Sequence, residues 1–463
     1  MAAIIASALS RARLRPLARA FAATFLFAGG AAQASTVTNC LDSGAGSLRA
    51  AVTGAASGDT VDMSKLTTAS LGCQQSRISL TTGEIKVKQN SLTIAGPGTD
   101  FIVSGKYYGD HASIQKARIF NHTGSGTLTL KDFALRFGYV KAAADSSAIG
   151  GCVLSKSTVE LDDMAISICR AVSPNYAAGG GAVSAKDVRV LRSTMTGNSA
   201  TGGSVQIGFY PAGGYGGAIE FRDSLYMAYS TISANSTAGN TARGGAISAV
   251  GYTAYIKNST IASNTTAPAK NGFATGSAID MSVIGDYYSV LTLLNTTVTG
   301  NKGGDTAVNG QISRVTMYNS TVAFNDGVGL AFFPNINPGG VTLFSNIFSN
   351  NVDPQYGPSD LFVGAPAIIT GDHNLVLATT NTMPPGNIVG QCPLLAPLHD
   401  NGGPTQTMML HSGSPAIDAG SNVRSLDADQ RGVSYPRGSG LPDIGAYEVQ
   451  QNDIVFNAAF DGC

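Results

Sequence analysis

The chain has 463 residues and no formal net charge, with 57 glycines, 13% charged residues and no tryptophan. Because no basic patch is visible in the sequence, nucleic acid is excluded as a partner. The length is large for one globular core but suits a solenoid, which grows along one axis by adding repeats.

Residues 1–34 have the features of a secretory signal peptide. Arginines precede a short apolar run from Ala20 to Ala28, and Ala32 to Ala34 supplies a small–x–small cleavage site. The apolar run is too short to span a membrane, which takes about 20 residues, and no other stretch is long and apolar enough. We therefore expect export, with no membrane-spanning segment left in the mature chain.

Residues 35–76 predict an N-terminal cap. A short helix is expected from Leu48 to Val52 with Ser47 as its N-cap, followed by a turn and a strand near Thr60. An uncovered solenoid end exposes strand edges and core, so we expect this segment to cover that end.

Residues 77–395 predict the coils of the solenoid. In the middle of this range a glycine pair and a small residue repeatedly open a short alternating run, and a second run ends in a small polar triplet. Alternation with period two indicates half-buried strands. It places Ile219 and Phe221 inward and Glu220 and Arg222 outward.

The repeat predicts the fold class. A unit this short cannot bury its apolar face alone, but stacked copies form a core. The regular leucines and helical half-repeats of leucine-rich repeats are absent. The fold that fits is all-β, a single-stranded right-handed parallel β-helix whose coils stack at about 4.8 Å. The right hand is that of nearly all parallel crossovers.

An asparagine follows each polar triplet. Asparagine tolerates left-handed backbone, bonds locally in turns and can bond from coil to coil when stacked, so we favour a structural role. A sugar-binding column of amides is the alternative. The glycine pairs likewise predict tight corners rather than a phosphate loop. The predicted asparagine column contains Asn198, Asn235, Asn264, Asn301, Asn325 and Asn350.

Six cysteines form an even set, which favours disulfides in an oxidising compartment. Because distant coils of a solenoid do not meet, nearest neighbours in the sequence are expected to pair. The rival interpretation, a metal site, lacks a CxxC motif and a nearby histidine. The predicted pairs are Cys40–Cys73, Cys152–Cys169 and Cys392–Cys463.

One outward column offers catalytic candidates. Glu220 and Asp280 are two coils apart, roughly 10 Å, and inverting glycosidases hold their carboxyl groups about 6.5 to 9.5 Å apart. Arg222 would assist. The alternative is an ordinary solvated strand face, and a lyase would also need a Ca²⁺ site that no acidic cluster on the repeat face supplies. The full column is Ser184, Glu220, Ser248, Asp280 and Asn309.

Tyrosines in loops and insertions could stack on sugar rings or pack against the loop bases. They are Tyr107, Tyr108, Tyr210, Tyr215, Tyr252, Tyr287 and Tyr288.

Residues 396–463 predict an irregular C-terminal cap segment with a dense polar cluster. We expect a buried, salt-bridged cap that fixes the last coil. A calcium site is the alternative, since carboxylates suit Ca²⁺, but the spacings match no EF-hand loop. The cluster consists of Asp418, Asp429, Arg431, Asp443 and Glu448.

Motifs near both ends carry a family resemblance. They lie at 46–52, 58–60, 398–407, 414–420, 429–432 and 443–448. Together they resemble the secreted bacterial right-handed parallel β-helix proteins of the choice-of-anchor Q type, over nearly the whole mature chain. Gly46 to Val52 is similar to the CSLREA-type signature of that group, although its Cys and Glu are absent. The central repeat resembles adhesins, polymorphic outer-membrane proteins and polysaccharide lyases.

The resemblance implies a bacterial extracellular or cell-surface location and no catalytic residues. The leading hypothesis is an adhesin-like structural protein that contacts polysaccharide or other cell-surface components through its stacked face and loops. The alternatives are a polysaccharide hydrolase or lyase that uses Glu220 and Asp280, and a purely structural extracellular spacer. We expect a monomer without a cofactor.

Overall fold

The computed structural model describes residues 34–105, 117–204, 212–249, 253–282, 289–334, 339–437, 441–451 and 453. These residues form 40 strands and one helix. Residues 1–33 of the predicted signal peptide lie outside them. Among the described residues, no helix has the length and apolar character that a membrane crossing requires.

Each coil passes through three short strands, and each strand pairs in parallel with its equivalents in the coils before and after. The chain therefore forms the predicted right-handed parallel β-helix. We call the three stacks of strands faces 1, 2 and 3, in the order in which the chain visits them within a coil.

Face 1 follows the glycine pairs of the middle coils. Its strands are Ile85–Val87, Phe120–His122, Val153–Ser155, the first part of Val183–Leu191, the first part of Ile219–Ala228, Ile247–Ala249, Ile279–Ser282, Thr306–Gln311, Val328–Phe332 and Leu361–Val363.

Face 2 includes the two strands of the N-terminal cap. Its strands are Ala34–Thr36, Thr60–Asp62, Leu92–Ala95, Thr127–Lys131, Thr158–Asp162, the later parts of Val183–Leu191 and Ile219–Ala228, the first parts of Thr253–Ala262 and Val290–Thr299, Arg314–Tyr318, Gly340–Phe344 and Ile368–Thr370.

Face 3 contains the polar triplets. Its strands are Arg77–Leu80, Ile102–Gly105, Ala134–Arg136, Ala165–Ser167, Thr194–Thr196, Thr231–Ser233, the ends of Thr253–Ala262 and Val290–Thr299, Thr321–Ala323, Ile347–Ser349, Leu375–Val376 and Ile388–Val389. A separate antiparallel pair joins Val352–Asp353 to Gly357–Pro358.

The core consists of side chains stacked in register from coil to coil. Period-two alternation turns every second residue of each strand inward, as the sequence predicted. Full burial of one such aliphatic side chain contributes about 1.5 to 3 kcal/mol. One stack on face 1 contains Val153, Val183, Ile219, Ile247, Ile279, Val308, Leu330 and Leu361, all buried.

The glycine pairs form sharp corners before face 1. The first glycine of the pair at 216–217 has φ +61°, which side chains disfavour. A Cβ on the second, Gly217, would lie 2.1 Å from the carbonyl oxygen of Gly245 in the next coil. Both positions therefore require glycine, which confirms the predicted structural role of the pairs.

A lateral sheet, not expected from the sequence, projects from the coils between face 3 and these corners. Its two layers pack through alanines, among them Ala171, Ala178 and Ala200, which are fully buried. The strands are Tyr139–Lys141, Ala148–Ile149, Arg170–Val172, Ala177–Gly179, Ser199–Thr201, Gly213–Tyr215, Ser236–Arg243 and Thr265–Thr275.

The asparagine ladder runs along the corner that follows face 3. The main-chain N–H and Nδ2 of Asn198 each donate to Oδ1 of Asn235 at 2.9 Å. Nδ2 of Asn235 also donates to the carbonyl of Met195 at 3.0 Å. The same pattern continues through Asn264, Asn301 and Asn325.

Asn350 does not belong to this ladder. Asn325 donates to Asn351 at 2.8 Å, while Asn350 occupies the left-handed position before it, with φ 57°. The predicted register is one residue early because Ser345 is itself left-handed, so that Asn346 continues the column of small polar residues.

The N-terminal cap forms as predicted around a helix at Leu48–Gly54. The Ser47 side chain accepts the N–H of Ala50 at 3.2 Å, as an N-cap does. The parallel sheet begins earlier than the predicted Arg77, because Thr60–Asp62 already pairs with Leu92–Ala95.

Two of the three predicted disulfides are confirmed. Cys40–Cys73 closes the N-terminal cap, and Cys152–Cys169 joins a corner before face 1 to the start of the asparagine ladder. Cys392 is disulfide-bonded, but Cys463 lies outside the described residues, so that pair stays a prediction.

The C-terminal segment lies along the outer side of face 3. Nδ2 of Asn258 donates to the carbonyl of Asp429 at 3.0 Å, and Oγ1 of Thr297 donates to Oε1 of Gln430 at 2.6 Å. These partners belong to successive coils. The expectation of a cap fixing the last coil is therefore wrong for this part of the segment, which is a side cover.

Candidate functional site

The predicted column of Ser184, Glu220, Ser248, Asp280 and Asn309 exists in register on face 1. Glu220 and Asp280 are separated by two strand spacings, roughly 10 Å. The column is not a solvated surface, however. Apart from the half-buried Glu220, its members are buried, because the lateral sheet folds back against face 1.

A second column faces this one across the glycine corners. It consists of the residue that precedes each glycine pair, in register from coil to coil: Ile149, Gly179, Tyr215, Arg243 and Thr275. We call the junction between the two columns the corner site, centred on Tyr215, Glu220, Arg243 and Asp280. The sharp turn at each glycine pair holds the columns side by side.

Asp280 lies at the closed side of the corner site. Its side chain is 1% exposed, and its Oδ1 accepts hydrogen bonds from Asn309 at 2.6 Å, Ser282 at 2.8 Å and Thr275 at 3.3 Å. Burial raises its pKa, while the nearby Arg243 charge and these donors act in the other direction. Asp280 therefore binds neighbouring side chains instead of facing solvent.

Glu220 is half-buried against the lateral sheet. Ser184 donates to its Oε2 at 2.9 Å, and a Cβ added to Gly179 would lie 2.4 Å from the same oxygen. Gly179 therefore makes room for the carboxylate. Burial raises the pKa of Glu220, opposed by the Ser184 hydrogen bond and the Arg222 charge.

Tyr215 and Arg243 form the open side of the corner site. Both are half-buried, and the Tyr215 side chain hydrogen-bonds to Thr241. The Arg243 guanidinium lies 5.2 Å above the ring of Phe273, which is 44% exposed, so cation–π attraction holds it. Burial raises the pKa of the Tyr215 hydroxyl. Aromatic faces and charged hydrogen-bonding groups thus meet at one partly open surface.

Arg222 is close enough to lower the pKa of Glu220, but it belongs to an irregular part of the strand. The pairing register shifts between Ala185 and Asp187 on the neighbouring strand, opposite this point. Arg222 is therefore a neighbour of Glu220 and not a member of the stacked column.

The lateral sheet supplies one wall of the corner site. Three segments that adjoin strands of the corner site in the sequence lie outside the described residues: 205–211, 250–252 and 283–288. Six of the seven candidate tyrosines also lie outside the described residues. Tyr215 is the one that falls within the described structure, and it lies in a strand, not in a loop.

Arg243 was missed by the sequence analysis, and Tyr215 was named only as a loop residue. The sequence feature that could have revealed this column is the identity of the residue before each glycine pair. This position changes from Gly179 to Tyr215 to Arg243 while the glycines stay constant. Aligning the repeats there indicates a column whose side chains differ from coil to coil.

The C-terminal polar cluster forms for four of its five predicted members. Nη2 of Arg431 donates to Asp429 at 2.8 Å, and the Arg431 guanidinium lies 3.9 Å from the ring centroids of both Tyr435 and Tyr447. Glu448 Oε2 accepts from Arg437 at 3.0 Å, a partner that the sequence did not predict.

The two remaining predicted members of the cluster are Asp443 and Asp418. Asp443 accepts the N–H groups of Val449 and Asp418, and burial raises its pKa to about 6. Asp418 contacts the cluster through its main-chain N–H, and its side chain is exposed, so its place in a buried ion-pair cluster was wrongly predicted.

Guanidinium and amide donors occupy the carboxylates, which does not fit a Ca²⁺ ligand set. Across the described residues, no three His, Cys, Asp or Glu side chains are grouped to hold a metal ion.

No family model matches the chain, and none of the curated proteins matches it. The crystal structure of pectate lyase Pel9A is similar in fold, with 13% sequence identity and a TM-score of 0.44 over 90% of this chain and 98% of that one. A likeness at this level says nothing about the activity of the present chain.

Proposed function

We propose that the protein is exported to the bacterial cell surface or its surroundings and binds polysaccharide at the corner site without cleaving it. The observation that carries this proposal is the grouping of half-buried Tyr215, Glu220 and Arg243 at one junction. The signal-like N-terminus, the two disulfides and the resemblance to choice-of-anchor Q proteins support export.

The chemistry of the corner site suits a sugar. A tyrosine ring can lie against the apolar face of a pyranose, while carboxylate and guanidinium groups hydrogen-bond its hydroxyls. The rigid corners fix these groups before a ligand arrives, which lowers the entropic cost of binding. The stacked coils let a long polymer run parallel to the solenoid axis.

The position of Asp280 favours binding over cleavage. A general acid or base must come within hydrogen-bonding reach of the substrate. Asp280 is 1% exposed and accepts three side-chain donors, so it is poorly placed for that role. A protein that only binds needs the exposed part of the corner site alone.

A polysaccharide hydrolase is the second candidate, and one observation favours it. Burial raises the pKa of the half-buried Glu220, as a general acid requires. In that case Glu220 would act as the acid and Asp280 as the base, with Arg222 close by. A lyase of the type that needs Ca²⁺ receives no comparable support from the described carboxylates.

The experiment is a screen of purified protein against plant and bacterial glycans, measuring binding and new reducing ends in parallel. The proposal predicts that the wild type binds a glycan without releasing new reducing ends, and that Glu220→Gln and Asp280→Asn release none either. New reducing ends that disappear in either variant show instead that the protein cleaves the glycan. A folded protein that binds nothing in the panel supports the structural spacer. Sedimentation of the same sample tests the expected monomer.

A further inference from the structure

Asparagine is followed directly by glycine at three places in the chain, Asn271, Asn309 and Asn401. An asparagine–glycine pair deamidates readily, because glycine has no side chain to shield its main-chain nitrogen or to restrict its rotation. The reaction also requires a free asparagine side chain and a backbone that can turn. The three pairs differ in both respects in this structure.

Hydrogen bonds hold the side chains of Asn309 and Asn401. Nδ2 of Asn309 donates to Asp280 at 2.6 Å and to Ser282 at 2.9 Å, and the residue is 2% exposed within a strand of face 1. Nδ2 of Asn401 donates to the carbonyl of Thr407 at 2.9 Å and to its hydroxyl at 3.1 Å. Both side chains would have to break these bonds before they could react.

Asn271 is exposed, and among the described residues no hydrogen bond holds its side chain. It belongs to the strand Thr265–Thr275 of the lateral sheet. Residues 269–272 bulge out of this strand opposite the single residue Asn240 of the neighbouring strand. The backbone at Asn271 can therefore turn without breaking the regular pairing on either side.

The packing of the bulge also requires the glycine that makes this pair reactive. A Cβ at position 272 would lie 2.2 Å from the carbonyl oxygen of Asn240 and 3.0 Å from that of Ala269. A residue with a side chain would slow the reaction, but it does not fit here unless the backbone shifts. The fold therefore keeps a reactive pair at an exposed position.

We propose that Asn271 is a site of spontaneous deamidation in the folded protein. The main-chain nitrogen of Gly272 attacks Cγ of Asn271, and the new C–N bond closes a succinimide ring. The side-chain nitrogen leaves as ammonia and takes up the proton that the glycine nitrogen loses. Water then opens the ring at either carbonyl and gives aspartate or isoaspartate, so each conversion adds one negative charge.

The new charge appears at the edge of the corner site. Phe273, two residues further on, is the ring above which the Arg243 guanidinium lies at 5.2 Å. Two residues span at most about 7 Å of chain, which is shorter than the distance of about 8 Å over which salt screens a charge. Deamidation therefore weakens the positive potential around Arg243. The modification itself does not depend on the proposed glycan binding.

The test incubates the purified full chain at neutral pH for several weeks and measures the three pairs by peptide mapping with mass spectrometry. Asn271 is expected to convert at least tenfold faster than Asn309 or Asn401. Its rate should increase with pH, because the glycine nitrogen attacks in its deprotonated form. No conversion at Asn271, or equal rates at Asn271 and the buried Asn309, would overturn the proposal.

Two controls separate the fold from the local sequence. In concentrated urea all three pairs are exposed, so their rates should agree within about threefold. A tenfold preference for Asn271 that persists in urea would contradict control by the fold. In the native protein, Asn271→Gly, which suits the left-handed φ of 67° at this position, should abolish the main acidic species seen by ion exchange, whereas Asn401→Gly should not. An acidic species that forms at the wild-type rate in Asn271→Gly would also contradict the proposal.

Discussion

The asparagine ladder and the corner site are two polar columns built by the same coils, and they differ in how their side chains are used. In the ladder the same residue recurs, and the amide groups bond to the next coil. In the corner site the residue changes at each step, and Tyr215, Glu220 and Arg243 remain half-buried. Repetition therefore marks structural positions, and departures from it mark candidate binding groups.

The largest expected effect on stability comes from a substitution that breaks the asparagine ladder. Asn351→Ala removes the acceptor for the N–H and Nδ2 of Asn325, and it removes the donor to Asp360. Because these groups are buried, we expect a loss of about 3 kcal/mol in the free energy of unfolding. Urea denaturation followed by circular dichroism measures it.

The neighbouring Asn350 provides the matched control. Asn350→Ala leaves the ladder intact and introduces alanine at a left-handed position, which costs about 1 kcal/mol. Equal losses for the two variants would contradict a ladder that runs through Asn351 and bypasses Asn350.

The second-largest effect is a loss of stability at low pH that follows from the low pKa of Asp42. Burial raises the pKa of Asp42, but hydrogen bonds from Thr82, Arg49 and Thr81 outweigh it and bring the pKa to about 2. The resulting stability is present above the unfolded value of 3.8 and is lost as the pH falls toward 2. It amounts to about 1.5 kcal/mol after screening by solvent.

Thermal unfolding of wild type and Asp42→Asn between pH 5 and pH 2 checks this prediction. The stability difference between the two should shrink as the pH falls. A difference that stays constant over this range excludes Asp42 as the group responsible.

The third effect is the contribution of Glu220 to stability, whose pH dependence has the opposite sign to that of Asp42. Burial raises the pKa of Glu220 above 4.5, so the folded protein holds a proton that the unfolded chain releases, and stability falls as the pH rises. Glu220→Gln should therefore be more stable than wild type at neutral pH. Melting temperatures of both proteins at pH 4 and pH 8 measure this. A variant that is less stable at pH 8 refutes the prediction.

The smallest effect belongs to the solvated side of face 2. Arg189 pairs with Glu160 at 3.5 Å, and its side chain is about half exposed. Arg189→Gln should change the free energy of unfolding by less than about 0.5 kcal/mol, because exposed ion pairs contribute little. A loss as large as that of Asn351→Ala would show that the outer surface of face 2 supports the fold.

Much of the fold could be predicted because the repeat obeys local rules. Alternation placed Ile219 and Phe221 in the core, and the glycine pairs marked corners that no Cβ can enter. The lateral sheet could not be predicted, because its small residues, such as Ala178 and Ala200, look like loop residues.

The candidate site was predicted only in part. Register alone placed Glu220 and Asp280 two coils apart, but their burial depends on the lateral sheet, which no simple pattern in the sequence indicates. The side cover was missed for a similar reason, since Gln430 meets Thr297 across 133 residues.

The most direct test of the account compares binding by matched tyrosine variants. For a glycan that the screen identifies, Tyr215→Ala should weaken binding at least tenfold by isothermal titration calorimetry. Tyr255→Ala, which changes a half-buried tyrosine on face 2, should alter the affinity less than twofold. Equal affinities for the two variants, or a larger loss for Tyr255→Ala, would contradict the corner site as the binding surface.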